Sequence, residues 1–197
     1  SVFMLSGAGF TSMTIQNSIF QNNGDAPIKI TSASPNILTN TATANTINGI
    51  FVSADSVFSA NTTWGSTLPY VLESTGTARP TVALGTTLTI NPGVILKPQS
   101  SANEALRIDG VLNWIATADN KGIITSYKDD ADDAGGDTNG DGSATAPAVN
   151  DWKQIRFTNT TSGSDLSNIK LRYGSSTDEL LIDLGVTVNK ANVVSEP

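Results

Sequence analysis

The apolar residues of this chain come in runs too short for anything but a fold of very short strands. Ile28-Lys29-Ile30, Leu88-Thr89-Ile90, Leu106-Arg107-Ile108, Ile155-Arg156-Phe157, Ile169-Lys170-Leu171 and Val186-Thr187-Val188 each alternate over about three residues. Turn sequences separate such runs: Asn22-Asn23-Gly24-Asp25, Asn91-Pro92-Gly93, Asp109-Gly110 and Tyr173-Gly174. No long window keeps an apolar helical stripe free of Gly, Pro, Thr or Asn. Hairpin sandwiches usually need strands of about five or six residues. Three-residue strands, each pointing one or two apolar side chains inward, suit coils that stack and bury a narrow core. The expected fold is therefore an all-β solenoid in which 1–197 forms one body. The stretch 62–70, holding Trp64, Pro69 and Tyr70, interrupts the rhythm and marks a possible internal break or an aromatic-packed lateral loop.

Composition fits this reading and narrows the chemistry. Charged residues make up 15% of the 197 residues, so Thr, Ser, Asn and Gly must fill much of the surface. No Cys is present, which excludes disulfides and thiolate metal sites; no His is present, which removes the commonest general base. No basic stripe suggests nucleic acid, and no apolar run is long enough to span a bilayer. Ser1 begins close to a patterned segment, Ser12 to Phe20, and another pattern, Val186 to Val194, runs close to the C-terminus. The chain thus reads as a fragment of a longer protein with flanking domains.

One constellation suggests chemistry. Six of the eighteen acidic residues fall between Asp129 and Asp141, within a net charge of −7. Asp137-Thr138-Asn139-Gly140-Asp141-Gly142-Ser143 has the D-x-N-x-D-G-x spacing of the first half of a calcium loop. Oxygens from Asp137, Asn139 and Asp141 would converge, with the Ser143 carbonyl beside them. The acidic residue expected twelfth is replaced by Ala148, so a complete EF-hand is excluded. Further ligands would come from Asp129, Asp130, Asp132, Asp133 or Asp151, with Asp130 and Asp133 the leading choices. The plainer reading is a solvated acidic loop; the coincidence of spacing and charge density favours a structural Ca²⁺ site on a loop insertion at about 129–151. Trp152 would anchor that loop to the wall.

Other residues read as structural. Trp64, Tyr70, Trp114, Tyr127 and Trp152 could offer a sugar-stacking surface, but are expected to pin loops and corners. Arg107, Lys128, Arg156, Lys170 and Arg172 could include a lyase base, but alternation turns them outward as solubilising strand residues. Equivalent Asn residues of adjacent coils could stack through their amides or merely supply turn geometry. Asn17 to Gly24 is echoed at Asp55 to Asn61.

Longer segments carry a resemblance. Leu68-Pro69-Tyr70-Val71-Leu72, Gly85-Thr86-Thr87-Leu88-Thr89-Ile90-Asn91-Pro92-Gly93-Val94-Ile95-Leu96-Lys97, Leu106 to Leu112 and Asn150-Asp151-Trp152-Lys153-Gln154-Ile155-Arg156-Phe157 resemble bacterial exported parallel β-helix surface proteins, pectin-lyase-like and adhesin-like. Asn150 and Gln154 stand where that pattern prefers Gly. The resemblance implies a right-handed parallel β-helix, a single-stranded solenoid with one acidic loop excursion. It implies an extracellular or cell-surface location and a non-enzymatic structural or adhesive role, with cell-surface glycans or other surface proteins as partners. The alternative it leaves is a carbohydrate-binding or polysaccharide-lyase-type β-helix acting on acidic polysaccharide.

Overall fold

The computed structural model describes residues 3–5, 13–31, 35–65, 67–158 and 163–196. Ser1, Ser12 and Ser66 lie outside them. The strands wind in successive turns. The first turn holds β1 (Phe3–Leu5), β2 (Thr14–Gln16) and β3 (Ile19–Gln21), and the second holds β4 (Ile28–Ile30), β5 (Asn36–Leu38) and β6 (Thr41–Thr43). The third holds β7 (Ile50–Val52), β8 (Val57–Phe58) and β9 (Thr62–Trp64); the fourth holds β10 (Tyr70–Leu72), β11 (Thr81–Val82) and β12 (Thr87–Ile90). The fifth holds β13 (Ile95–Pro98), β14 (Leu106–Ile108) and β15 (Val111–Ile115). The sixth holds β16 (Gly122–Ile124), β17 (Ile155–Phe157) and the first half of β18 (Ser164–Arg172). The second half of β18 starts the seventh, followed by β19 (Leu180–Ile182) and β20 (Val188–Glu196).

Every pairing between these strands is parallel, which rules out hairpins as the building unit. Strands of successive turns stack as ladders: β1-β4-β7-β10-β13-β16-β18 on one wall, β8-β11-β14-β17-β19 on another, and β9-β12-β15-β18 on a third. The nine-residue β18 joins the first and third walls, and β20 extends both by pairing along its length. The chain is a parallel β-helix.

Alternation decides what lies inside. Leu106 and Ile108 are buried while Arg107 between them is not, and Ile155, Arg156 and Phe157 repeat the pattern one turn on. Leu88, Ile90, Val94 and Leu96 all point into the core around the Asn91-Pro92-Gly93 turn, where Gly93 takes a φ of 78° that side chains resist. One hydrophobic core runs unbroken from Phe20 to Leu171. Trp64, Leu68 and Tyr70 of the 62–70 stretch belong to it and do not form an aromatic-packed lateral loop. Trp64 stacks on Tyr70 at 4.6 Å and 9°, and Phe58 meets Trp64 edge-on at 5.5 Å. Both rings sit at inward strand positions, so the aromatics fill the interior.

The turns of the first two coils are closed by amides. Asn45 Oδ1 accepts the Asn23 amide N–H at 3.0 Å and its side-chain N–H at 2.6 Å, across 22 residues. Asn40 Oδ1 accepts the Ser18 N–H one turn below, and Asn192 donates to Asn168 at 3.2 Å near the C-terminal end. Asn17, Asn22, Asn168 and Asn192 also adopt positive φ. Asn therefore supplies both turn geometry and inter-turn bonds. The sequence echo between Asn17–Gly24 and Asp55–Asn61 is not a stacking equivalence. Phe20 lies against Ala42, and Phe58 against Val82, on different ladders. Both phenylalanines point inward, which is why the two segments look alike.

A strapped outer face and its carboxylate cluster

Between β16 and β17 the chain leaves the helix for 125–154 and folds back across the outside of the first wall. Its neck is tied where it departs and returns. Asp151 accepts the Ser126 hydroxyl at 2.6 Å, the Lys128 ammonium at 2.8 Å and the Ala148 N–H at 2.9 Å. Burial works against the Asp151 carboxylate, yet these donors hold its pKa below the ordinary value. Trp152 is fully buried beside the neck and donates its indole N–H to the Arg172 carbonyl at 2.7 Å, as expected of an anchor.

From this neck the strap reaches turns far away in sequence. Asn48 N–H donates to the Thr138 carbonyl at 2.8 Å, and the Asn48 side chain donates to the Asp137 carbonyl at 3.0 Å. Gly140 lies so close to the second turn that a Cβ there would meet the Asn45 carbonyl oxygen at 2.9 Å. Beneath the strap, the outward row Lys29, Phe51, Val71 and Lys97 stacks in register. Val71 is fully buried in a second small core with Ala26 and Ile47, flanked by Phe51 and Tyr127. The Lys29 ammonium caps the Phe51 ring at 5.1 Å.

Lys97 is the residue that sequence pattern misplaces. It alternates outward beside Leu96, yet its exposure is 0% because the strap covers it. Its ammonium donates to the carbonyls of Asp129 at 2.6 Å and Gly136 at 2.9 Å. Desolvation pushes its pKa down to about 8, opposed by the nearby charges of Asp129, Asp130 and Asp137. Nothing in the local sequence distinguishes it from an exposed strand lysine.

The acidic residues divide into two groups. Asp130, Asp137 and Asp141 converge, with one carboxylate oxygen of each within 4.8 Å of the others. Asp130 Oδ1 is buried without a hydrogen-bond partner, and its pKa is raised by desolvation and by the charges of Asp137 and Asp141. The D-x-N-x-D-G segment folds around its own side chains. Asp137 accepts the N–H groups of Asp141 at 3.0 Å and Gly142 at 3.1 Å; Asp141 accepts those of Ser143 and Ala144, each at 3.0 Å. The Thr145 hydroxyl donates to Asp141 and is the main cause of its lowered pKa. Asn139 donates to Asp141 Oδ2 at 2.9 Å, so both Asn139 and Ser143 stand beside the cluster.

Asp133 stands apart. It holds Arg172 bidentately at 3.0 and 2.7 Å, and that guanidinium depresses its pKa. Its carboxylate is thus engaged in tying the strap's single 3₁₀ turn, Asp132–Ala134, to β18. Asp129 is likewise directed elsewhere, accepting the Thr125 hydroxyl at 2.6 Å. The orphaned Asp130 oxygen and the mutual repulsion of three carboxylates fit a hard divalent cation, which Asp130, Asp137 and Asp141 would hold with Asn139 and Ser143 within reach.

The remaining candidate groups are structurally committed. Trp64, Trp114, Trp152 and Tyr70 are all at most 1% exposed and offer no stacking surface. Arg107 pairs with Asp109, Arg156 with Glu104 and Asp183, Lys128 with Asp151, and Lys170 and Arg172 with Glu196. None of the described helices is long and apolar enough to cross a membrane. No family model, curated protein or solved structure matches the chain.

Proposed function

We propose that this chain is a rigid, non-catalytic segment of an exported bacterial surface protein, built to present a surface to glycans or to other proteins at the cell exterior. In this reading the strap is fixed by a structural Ca²⁺ on Asp130, Asp137 and Asp141. The observation that carries it is the convergence of those three carboxylates on a segment that braces distant turns, with one buried carboxylate oxygen unpartnered. A cation there would offset the desolvation and the repulsion that together raise the Asp130 pKa, and binding to the folded state alone would add stability by mass action.

Calorimetric melting in millimolar Ca²⁺ and in chelator tests this. The midpoint should rise by several degrees with Ca²⁺, and the shift should vanish in Asp137→Asn combined with Asp141→Asn. An unchanged midpoint in the unaltered chain sinks the cation.

The competing reading is a lyase acting on acidic polysaccharide. It needs a base facing the cation. Each of the five basic residues that suggested one is held in an ion pair, and Lys97, whose charge acts on Asp130, is sealed beneath the strap. Incubation with polygalacturonate and with alginate, followed by ultraviolet absorbance, separates the two. Accumulation of unsaturated products would replace the non-catalytic reading with the lyase.

A further inference from the structure

The ladders are continuous everywhere except beside the second turn. There β6 pairs with β3 on one edge, and among the described residues no strand pairs with the other. In the third turn the chain passes elsewhere: β9 lies against β5, and β6, whose Ala42 packs against the core, gains no paired strand there among the described residues. The result is a groove of about 1070 Å³ whose lining includes every residue from Thr39 to Thr46. Its far wall is Thr67, Leu68 and Pro69, and one end is closed by the strap at Gly135, Asp137 and Gly140.

The groove floor is a strand edge in the hydrogen-bonding sense. Thr41 N–H donates inward to the Ser18 carbonyl at 3.0 Å. Alternation along a parallel ladder then turns the N–H and C=O of Ala42 the opposite way, into the groove. The Asn40 carbonyl, facing the same side, already accepts the Thr67 hydroxyl at 2.7 Å, which shows that this edge bonds across the groove. An open strand edge is a template for another strand. This one is recessed between Pro69 and the strap, so the equally recessed β6 of a second copy cannot reach it edge to edge.

We infer that the groove is a docking site for an extended peptide segment of a partner protein, which adds a strand to β6. The mode is β-augmentation: main-chain bonds give affinity, and alternate side chains give selectivity. Small residues suit the positions facing Ala42, Leu68 and Pro69. A basic residue suits the strap end, where Asp137 lines the groove with Asp130 and Asp141 behind it. Even with one divalent cation bound, these three carboxylates keep a net charge of about −1. A neutral glycan is the weaker occupant, since no aromatic side chain lines the groove among the described residues.

The test pans a randomised seven-residue peptide library on phage against the whole chain and measures the enriched sequences as labelled synthetic peptides. Enrichment of sequences with a basic end, binding Ala42→Pro at least tenfold more weakly, is the expected result. Proline at 42 deletes only the groove-facing N–H and leaves the bonds to β3, as edge strands tolerate. Should that variant fail to fold, hydrogen exchange of the Ala42 amide in the unaltered chain gives the same answer, because a docked strand must slow it. No enrichment over the bare support, equal binding by Ala42→Pro, unchanged Ala42 exchange, or displacement of the peptides by a neutral oligosaccharide overturns the inference.

Discussion

At the scale of single residues, the strap depends on a few side chains that gather many bonds. Asp151 closes the neck: three donors from both ends of the strap meet on one largely buried carboxylate. Its pKa lies below the ordinary 3.8 in the fold. The fold therefore binds the proton less readily than the unfolded chain does, and the stabilisation is complete above pH 3.8 and lost as pH falls through the lower folded value. Asp151→Asn should cost about 2 kcal/mol at neutral pH, the range for hydrogen bonds to a charged group. Melting curves of the two proteins should converge toward pH 2; a constant gap at all pH values would assign the loss to packing instead. Lys97 has the opposite character. Burying an ammonium costs stability, and here two carbonyls offset part of that cost.

At the scale of elements, the strands and the turns between them follow from local chemistry, and the strap's placement does not. Leu106-Arg107-Ile108 announces one outward residue between two inward ones, and Asn91-Pro92-Gly93 announces its turn, because each depends on alternation or on backbone preference within a few residues. The Asp137 to Ser143 spacing likewise announces a loop that folds on its own side chains. What no local pattern carries is the bond from Asn48 to Asp137, 89 residues away, or the reason Asp133 turns to Arg172 while Asp130 turns to Asp137. Those choices are made by where the strap lands. The landing is tight at Gly140, whose φ of 70° and closeness to the Asn45 carbonyl both oppose a side chain. Gly140→Ala should cost about 1–3 kcal/mol. It should also speed hydrogen exchange of the Asn48 amide, while amides of β14 and β17 keep their protection. Equal loss at all three sites would mean that the substitution unfolds the body and does not merely lift the strap.

At the scale of the molecule, a stacked helix is nearly one-dimensional, each turn touching only its neighbours. The open third-turn ladder and the recessed β6 edge interrupt that regularity on one side; the strap counters it on another by crossing from the sixth turn to the second. An array without such a tie unwinds from its termini, one coil after the next. Here, tension applied through the chain ends meets a shunt: load entering at the second turn passes through Thr138 and Asp137 to the neck at Asp151, bypassing the coils between. Single-molecule stretching should record one large rupture for the intervening coils, replaced by a staircase of small ones when Asp151 is changed to Asn. The strap would then act as a mechanical fuse, setting the force at which the rod gives way.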